Sequence, residues 1–395
     1  MEKTKYLIIG NGIASLAAIR EIRKKDKEGR IKVVSSESGL TYYRTKLTEY
    51  IAKDFEDEEL LVAKEEWYED NNIELHLSKI VEEIDTDNNK IRLDDSQEIE
   101  YDKLLIATGS RPFVPPIAGK FKEGVFALRT LKDLRYVKEY LKDLNKVTVI
   151  GGGLLGLEAA WSLKKLGKEV NIVEFAPYLL PRQLDKDIAQ ELKEKLEDEG
   201  FNIYLAAQTE EILGQGKVEA LKLNEDREIE AEAVLVSVGI RPNLDLVRDT
   251  AIKYDKGILV DKNLRTNMDN VYAAGDVAEI DKMVLGLWTV ANAEGKIAGA
   301  NMAGENEEYI NPKIFTDLQL GDIKLFSAGR IDKFDKVYEY KTDQNHQKLF
   351  VNEGKLIGAI LFGDLAKMNK VRNAVIANRD IEEYLKEDSD FTKNK

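Results

Sequence analysis

The sequence predicts an α/β protein with two mostly parallel sheet units followed by a small α+β unit. Three observations predict it. The apolar runs Tyr6-Leu7-Ile8-Ile9 and Val147-Thr148-Val149-Ile150 read as buried parallel strands. Each runs into a glycine turn, Gly10-Asn11-Gly12-Ile13-Ala14-Ser15 in one case and Gly151-Gly152-Gly153-Leu154-Leu155-Gly156 in the other. Each turn then opens a stretch with apolar residues at helical spacing. Strand, glycine turn and helix N-terminus in that order form a Rossmann-like dinucleotide site. Glycine lets the backbone turn tightly and approach phosphates, while free N–H groups and the helix dipole face the anion. One such cluster arises easily by chance at a helix start; two in the same context mark two dinucleotide sites.

A chain of 395 residues, 43% hydrophobic and 33% charged, is long enough for two or three domains with sizeable cores. No apolar run approaches the ~20 residues that span a bilayer, and no signal-peptide pattern precedes the first strand, so cytoplasm is the expected location. The formal charge of −14 argues against non-specific nucleic-acid binding, because a polyanion is repelled except at a local basic patch. With no cysteine in the sequence, disulfides, thiolate metal sites and thiol redox relays are excluded within it. No metal site is expected. Of the two histidines, His76 alternates with Leu75 and Leu77 and reads as an exposed strand residue, and His346 reads as part of a solvated loop.

The elements follow in order. After the first turn, Ile13, Leu16, Ala17 and Ile19 define the buried face of a helix, and Ile31 to Val34 form the next strand. An acid at the end of that strand ordinarily meets the adenosine ribose, and Glu37 is the candidate, with a solvated loop carboxylate as the competing reading. The charge run Asp54 to Glu59 reads as an exposed helix edge or loop, and Ile84 to Ile99 reads as a β-hairpin turning at Asp87-Asn88-Asn89-Lys90. The buried strand Tyr101 to Ile106 ends at Ala107-Thr108-Gly109, and the proline-rich Arg111 to Pro116 reads as a crossover between domains.

The second unit starts near Asn145. Its helix carries Leu157, Glu158, Trp161 and Leu163 and ends near Gly167, before the strand Glu169 to Val173. Glu174 closes that strand 18 positions after Gly156, the place of the acid that hydrogen-bonds a ribose 2′-hydroxyl. A 2′-phosphate is repelled there, and Phe175-Ala176 supply no arginine for one, so NADH is favoured over NADPH. A charged helix spans Asp185 to Glu199, a strand run ends at Val238-Gly239, and Ile240 to Asn243 breaks the fold again. Val271 to Ala273 leads to Gly275-Asp276, whose aspartate faces a ligand at the carboxyl end of the sheet, and the helix Thr289 to Met302 is rich in alanine and glycine. Strands are expected near Ile323 to Ala328, Val337 to Tyr340, Leu349 to Asn352 and Lys355 to Phe362, then a charged, frayed tail over Lys386 to Lys395.

With these motifs in order, residues 4 to about 305 resemble the pyridine nucleotide–disulfide oxidoreductase superfamily. Four motifs carry the resemblance: the Gly10 turn, Leu105 to Pro112, the Gly151 turn with Glu158, and Tyr272-Ala273-Ala274-Gly275-Asp276. Tyr42 to Leu47, Leu180 to Asp185 and the C-terminal unit are similar to NADH:rubredoxin reductases and to the flavin-binding portion of assimilatory nitrite reductases. The resemblance implies an FAD domain over 1–109 and 237–309, an NAD domain over 110–236 and a C-terminal α+β domain over 310–395. It implies that Gly10, Gly12, Ile13, Ala14, Ser15, Glu37, Lys46, Val81, Ala107, Thr108, Gly109, Gly239 and Asp276 lie along FAD. Arg44 and Glu158 are placed near the flavin as catalytic candidates, and Trp288 flanks it. Gly151, Gly153, Leu154, Leu155, Gly156 and Glu174 are assigned to NADH. Competing readings stand beside three of these: a surface ion pair for Arg44, a helix-exposed acid for Glu158 and ordinary core for Trp288.

Three departures from the family pattern stand out. Ser15 replaces the third glycine of the first turn. Glu49 occupies a position where many relatives carry lysine, so the usual lysine partner of Glu158 is in doubt and Arg44 or Lys46 is left to supply the positive charge. Glu294 stands where relatives often have glutamine. The function implied is NADH-dependent reduction of FAD, with electrons passed to a small redox protein such as rubredoxin. The alternatives are an NADH oxidase or diaphorase, and an electron-transfer subunit of a larger complex. The oligomeric state is left open, with a monomer favoured.

Overall fold

Continuous apolar runs form the centre of each parallel sheet, because a strand covered on both faces has no polar side to alternate with. The computed structural model describes residues 2–388 and 391, so most of the tail expected after Lys386 lies outside the described residues. Two compact units divide the chain. The first comprises Met1–Leu47, Asp54–Phe113 and Gly239–Asn311; the second comprises Thr48–Lys53, Val114–Val238 and Pro312–Lys395.

In the first unit the strands Ile73–Leu77, Ile31–Ser35, Glu2–Ile9 and Glu98–Ile106 lie side by side in parallel, and Val271–Ala273 also pairs in parallel with Glu98–Ile106. Leu7 and Ile8 are fully buried at the centre. The expected hairpin is present as Val81–Asp85 against Lys90–Leu93, and the latter continues in antiparallel fashion onto Glu98–Ile106. The helix expected over Thr289 to Met302 begins one residue earlier, as Trp288–Met302. It packs on the helix Ile13–Lys25 at very close range. A Cβ added to Gly295 would stand 2.2 Å from the Ala14 carbonyl oxygen, and one added to Gly299 would stand 2.3 Å from that of Ala18.

The two proline-containing breaks turn out to be partners. Ser110–Pro112 and Ile240–Pro242 form an antiparallel two-stranded ribbon, with Arg111 opposite Arg241. Each strand has three residues and belongs to no larger sheet, so its proline displaces no central ladder bond.

In the second unit, Asn202–Tyr204, Glu169–Val173, Lys146–Ile150, Ala233–Val236 and Val125–Phe126 form a five-stranded parallel sheet. The helix Leu154–Lys165 follows the glycine turn, and Gly167, at φ +76°, ends it as expected. The charged helix is Lys186–Asp198, with the Asp185 carboxylate accepting the Ile188 N–H at its start. The C-terminal part is a five-stranded antiparallel sheet that adds Phe315–Leu320, missed in the sequence, to the four expected strands. The helices Met368–Ile376 and Ile381–Lys386 contribute Val371, Ala374 and Tyr384 to its core.

Both histidines depart from expectation. His346 is 2% exposed in the strand His346–Asn352, its ring nitrogens facing Glu191 at 2.8 Å and Glu339. It is not a loop residue, because pairing with Lys336–Lys341 continues to the end of the hairpin and the Glu191 carboxylate from the helix Lys186–Asp198 covers it. His76 is half-buried, since Glu74 two residues away on its own strand folds over its Nε2 at 2.9 Å.

Candidate functional site

Gly10 ends the first strand at φ +106°, where a Cβ would lie 2.2 Å from the Ala107 carbonyl oxygen. Only glycine lets the two chain segments pass there. Gly12 is the N-cap of the following helix and supplies no side-chain cap, the first turn of that helix holds no acid, and a Cβ at Gly12 would meet nothing within 4 Å. The N–H groups of Ile13, Ala14 and Ser15 thus belong to a helix end with open space ahead of it, the geometry of an anion cradle. Ser15 is fully buried, and its hydroxyl has no hydrogen-bond partner.

The rest of the first unit's site gathers at the carboxyl ends of these strands. The Ala107 N–H donates to the Ile9 carbonyl at 2.8 Å, and Asn243 clamps the next two residues: its side chain donates to the Thr108 carbonyl at 2.9 Å and its N–H to that of Gly109 at 3.0 Å. Gly239 lies across the same connection, its carbonyl accepting the Phe113 N–H at 2.9 Å. The Asp276 carboxylate accepts the Ser110 hydroxyl at 2.7 Å. Val81 begins the Val81–Asp85 strand beside a bulge, with its side chain in the core.

Glu37 and Arg44 are brought together. The Glu37 carboxylate accepts Arg44 Nη2 at 2.7 Å and the Tyr42 hydroxyl at 2.8 Å, and Arg44 Nη1 donates to that hydroxyl oxygen at 2.6 Å. Burial opposes the charge on Arg44, but Tyr42 and Glu37, helped by Asp276, outweigh it and raise its pKa. Arg44 is thus a half-buried cation, ion-paired to Glu37 and in electrostatic reach of Asp276. Lys46 lies over the Tyr43 ring at 5.0 Å, and Tyr43 stacks on Trp288 with centroids 5.8 Å apart and planes 25° apart. The buried Trp288 Nε1–H has no partner.

The second unit repeats the turn with tighter packing. Gly151 has φ +116°, and its Cβ would lie 2.2 Å from the Ser237 carbonyl oxygen; a Cβ on Gly156 would lie 2.0 Å from that of Gly151. Gly153 caps the Leu154–Lys165 helix with open space before it and no acid in the first turn, and Leu155 is exposed. Glu174 folds onto this turn, its carboxylate accepting the Gly152 N–H at 2.6 Å and the Ala176 N–H at 2.7 Å.

Glu158 lies in this unit too, and the partner expected for it is not the one found. Its carboxylate accepts the Thr48 hydroxyl at 2.9 Å. Burial raises its pKa, the Thr48 bond lowers it and the neighbouring Glu49 raises it further. Arg44 and Lys46, the cations considered for it, make the contacts just described within the first unit.

Thr48, Tyr43, Asn243 and Glu294 were not assigned roles from the sequence. Their partners are distant in the chain, so no local pattern signals them. Among the described residues, Glu2, Glu74 and His76 could hold a metal ion, but the buried Lys32 ammonium pairs with both glutamates, at 2.8 Å from Glu74. No helix of the described residues is long and apolar enough to cross a membrane.

Residues 4–295 match the family model described as pyridine nucleotide-disulphide oxidoreductase, and residues 315–379 match the rubredoxin NAD+ reductase C-terminal domain. The chain is 33% identical over 388 residues to an NADH-rubredoxin oxidoreductase of Clostridium acetobutylicum, covering 97% of each. A crystal structure of NADH:rubredoxin oxidoreductase from that organism superposes with a TM-score of 0.80 at 33% identity, covering 96% of both chains. It is also 35% identical over 393 residues to a nitrite reductase [NAD(P)H] of Bacillus subtilis, covering 98% of this chain and 49% of that protein. The chain thus spans about half the length of some curated relatives it matches, and nearly all of another.

Proposed function

The chain belongs to the pyridine nucleotide-disulphide oxidoreductase family, and from that premise we propose that it is an NADH-dependent FAD flavoprotein reductase that passes electrons to a small redox protein of the rubredoxin type. The observation that carries the reading is the pair of glycine turns in separate units, each ending in an open helix N-terminus with no acid in its first turn. The near-complete alignment with an NADH-rubredoxin oxidoreductase supports the choice of acceptor.

The residues present fit both dinucleotides. Open space ahead of Gly12 and Gly153 admits a diphosphate to each helix end, and the unpartnered Trp288 Nε1–H beside the Tyr43 stack offers a donor and a flat wall to a planar ring. FAD would supply the hydride-accepting and single-electron chemistry that no side chain here has. The protein binds and orients. The N–H groups after Gly12 hold the FAD diphosphate, and Arg44, already charged, lies on the Asp276 side to neutralise it. Glu174 holds the NADH adenosine ribose through its hydroxyls and turns a 2′-phosphate away by like charge, which selects NADH over NADPH. With no cysteine in these 395 residues, the electrons have no thiol relay within the chain and pass to an external acceptor.

Anaerobic stopped-flow absorbance tests the reading. The flavin is reduced with NADH and then mixed separately with oxidised rubredoxin and with oxygen. Fast reoxidation by rubredoxin and slow reoxidation by oxygen are expected. The reverse order makes the protein an oxidase, and no bleaching by NADH removes the second nucleotide site from the mechanism.

A further inference from the structure

Glu294 is a buried acid near the first unit's site that the mechanism above does not use. It lies on the helix Trp288–Met302, 6% exposed, and its Oε2 accepts the Gly275 N–H at 2.7 Å. Gly275 sits in a left-handed turn at φ +82° and is followed directly by Asp276. The helix Ile13–Lys25 meets this face with Ala14 and Ala18, so no charge comes from that side. From Val271–Ala273 the titratable group is Tyr272, whose hydroxyl donates to the Asn301 carbonyl at 3.4 Å. The groups that bear on Glu294 electrostatically are Asp276 and Tyr309, and the buried Tyr309 hydroxyl has no hydrogen-bond partner.

We infer that Glu294 is a positioning residue for FAD that works in its neutral form, steadying the Gly275–Asp276 turn beside the dinucleotide and weakening FAD binding when it ionises. The inference rests on the flavin assignment of the first unit. A neutral carboxyl still accepts the Gly275 N–H through its carbonyl oxygen. An ionised one puts a buried negative charge beside the half-buried Asp276, in the site that receives an anionic diphosphate. Burial pushes the Glu294 pKa up to about 8; the Gly275 N–H pulls it down and the Asp276 carboxylate pushes it up. The neutral form therefore holds at neutral pH and is lost as pH rises through that value.

The test is FAD affinity of the full chain, read by flavin fluorescence from about pH 6.5 to 9.5, for the unaltered protein and for Glu294→Gln. Glutamine keeps an oxygen for the Gly275 N–H and cannot ionise. In the unaltered protein the Kd should rise by up to about tenfold per pH unit above about pH 8, the slope of a single linked proton. In Glu294→Gln it should change by less than about twofold attributable to this site. Parallel profiles overturn the inference while leaving the flavin assignment intact, and absence of bound FAD at every pH overturns both. Should the variant fail to fold, infrared spectroscopy of the unaltered protein decides. A protonated-carboxyl band at neutral pH that disappears on raising the pH supports the inference, and its absence at neutral pH overturns it.

Discussion

The two glycine turns share a spacing, and of its three glycine places only the last differs, Ser15 against Gly156, which shows what that position is for. In the second unit a Cβ on Gly156 would stand 2.0 Å from the Gly151 carbonyl, so the helix rests directly on its own turn. In the first unit Ser15 occupies the equivalent place and is fully buried without a partner for its hydroxyl. There a comparably close approach is made one layer out, by Gly295 and Gly299 of the helix Trp288–Met302, which press on the backbone of Ala14 and Ala18. The requirement for a missing side chain is set by where two backbones meet. The motif's third letter marks that place in one unit and not in the other.

Gly156→Ser tests the comparison most severely. Forcing a side chain against the Gly151 carbonyl should cost about 3 kcal/mol of stability, measured by chemical denaturation, because the contact is backbone on backbone and has no flexible end to yield. A cost as small as that of any change at Ser15 would break the contrast. Gly295→Ala should cost about 2 kcal/mol by the same measurement and lower FAD occupancy, since the helix must lift off Ala14. Unchanged stability would show that the closeness of these helices is not what replaces the third glycine.

Glu174→Ala separates the turns by ligand. It should weaken NADH binding by about 1–2 kcal/mol, from lost ribose hydrogen bonds and the freed Gly152 N–H, while FAD occupancy stays the same. Titration of the reduced-nicotinamide fluorescence measures the first and the flavin absorbance ratio the second; a fall in both, or in neither, removes Glu174 from a role particular to the second turn. The smallest effect is expected of Ser15→Ala. Deleting a buried hydroxyl with no partner should change stability by less than about 1 kcal/mol, in the stabilising direction, and a larger loss would mean that the hydroxyl bonds the dinucleotide.

Much of this was legible in the residues. The strand, turn and helix of each unit, the Asp87–Lys90 hairpin, the Gly167 helix end and the acid closing the strand Glu169–Val173 are all local patterns, written in periodicity and glycine placement. The two proline breaks were read separately, because an antiparallel ribbon between residues 110–112 and 240–242 leaves no trace in either stretch alone. His346 was misplaced for a related reason: the glutamates that bury it come from positions 191 and 339. The partner of Glu158 was sought among cations, whereas a threonine hydroxyl supplies it.

By itself the sequence determined that this is a two-turn α/β chain with a third small unit, that it contains no thiol, and that an acid stands where a ribose would be read. Those properties depend on residue type and on spacing within some twenty positions. Only the tertiary structure decided which glycine in each unit is indispensable, that Arg44 is held by Glu37, and that Glu294 is buried against the turn leading to Asp276. Each of these depends on the distance between backbones or charges far apart in the chain. Desolvation and close packing are set by what surrounds a group in space, and neighbours in sequence do not specify it.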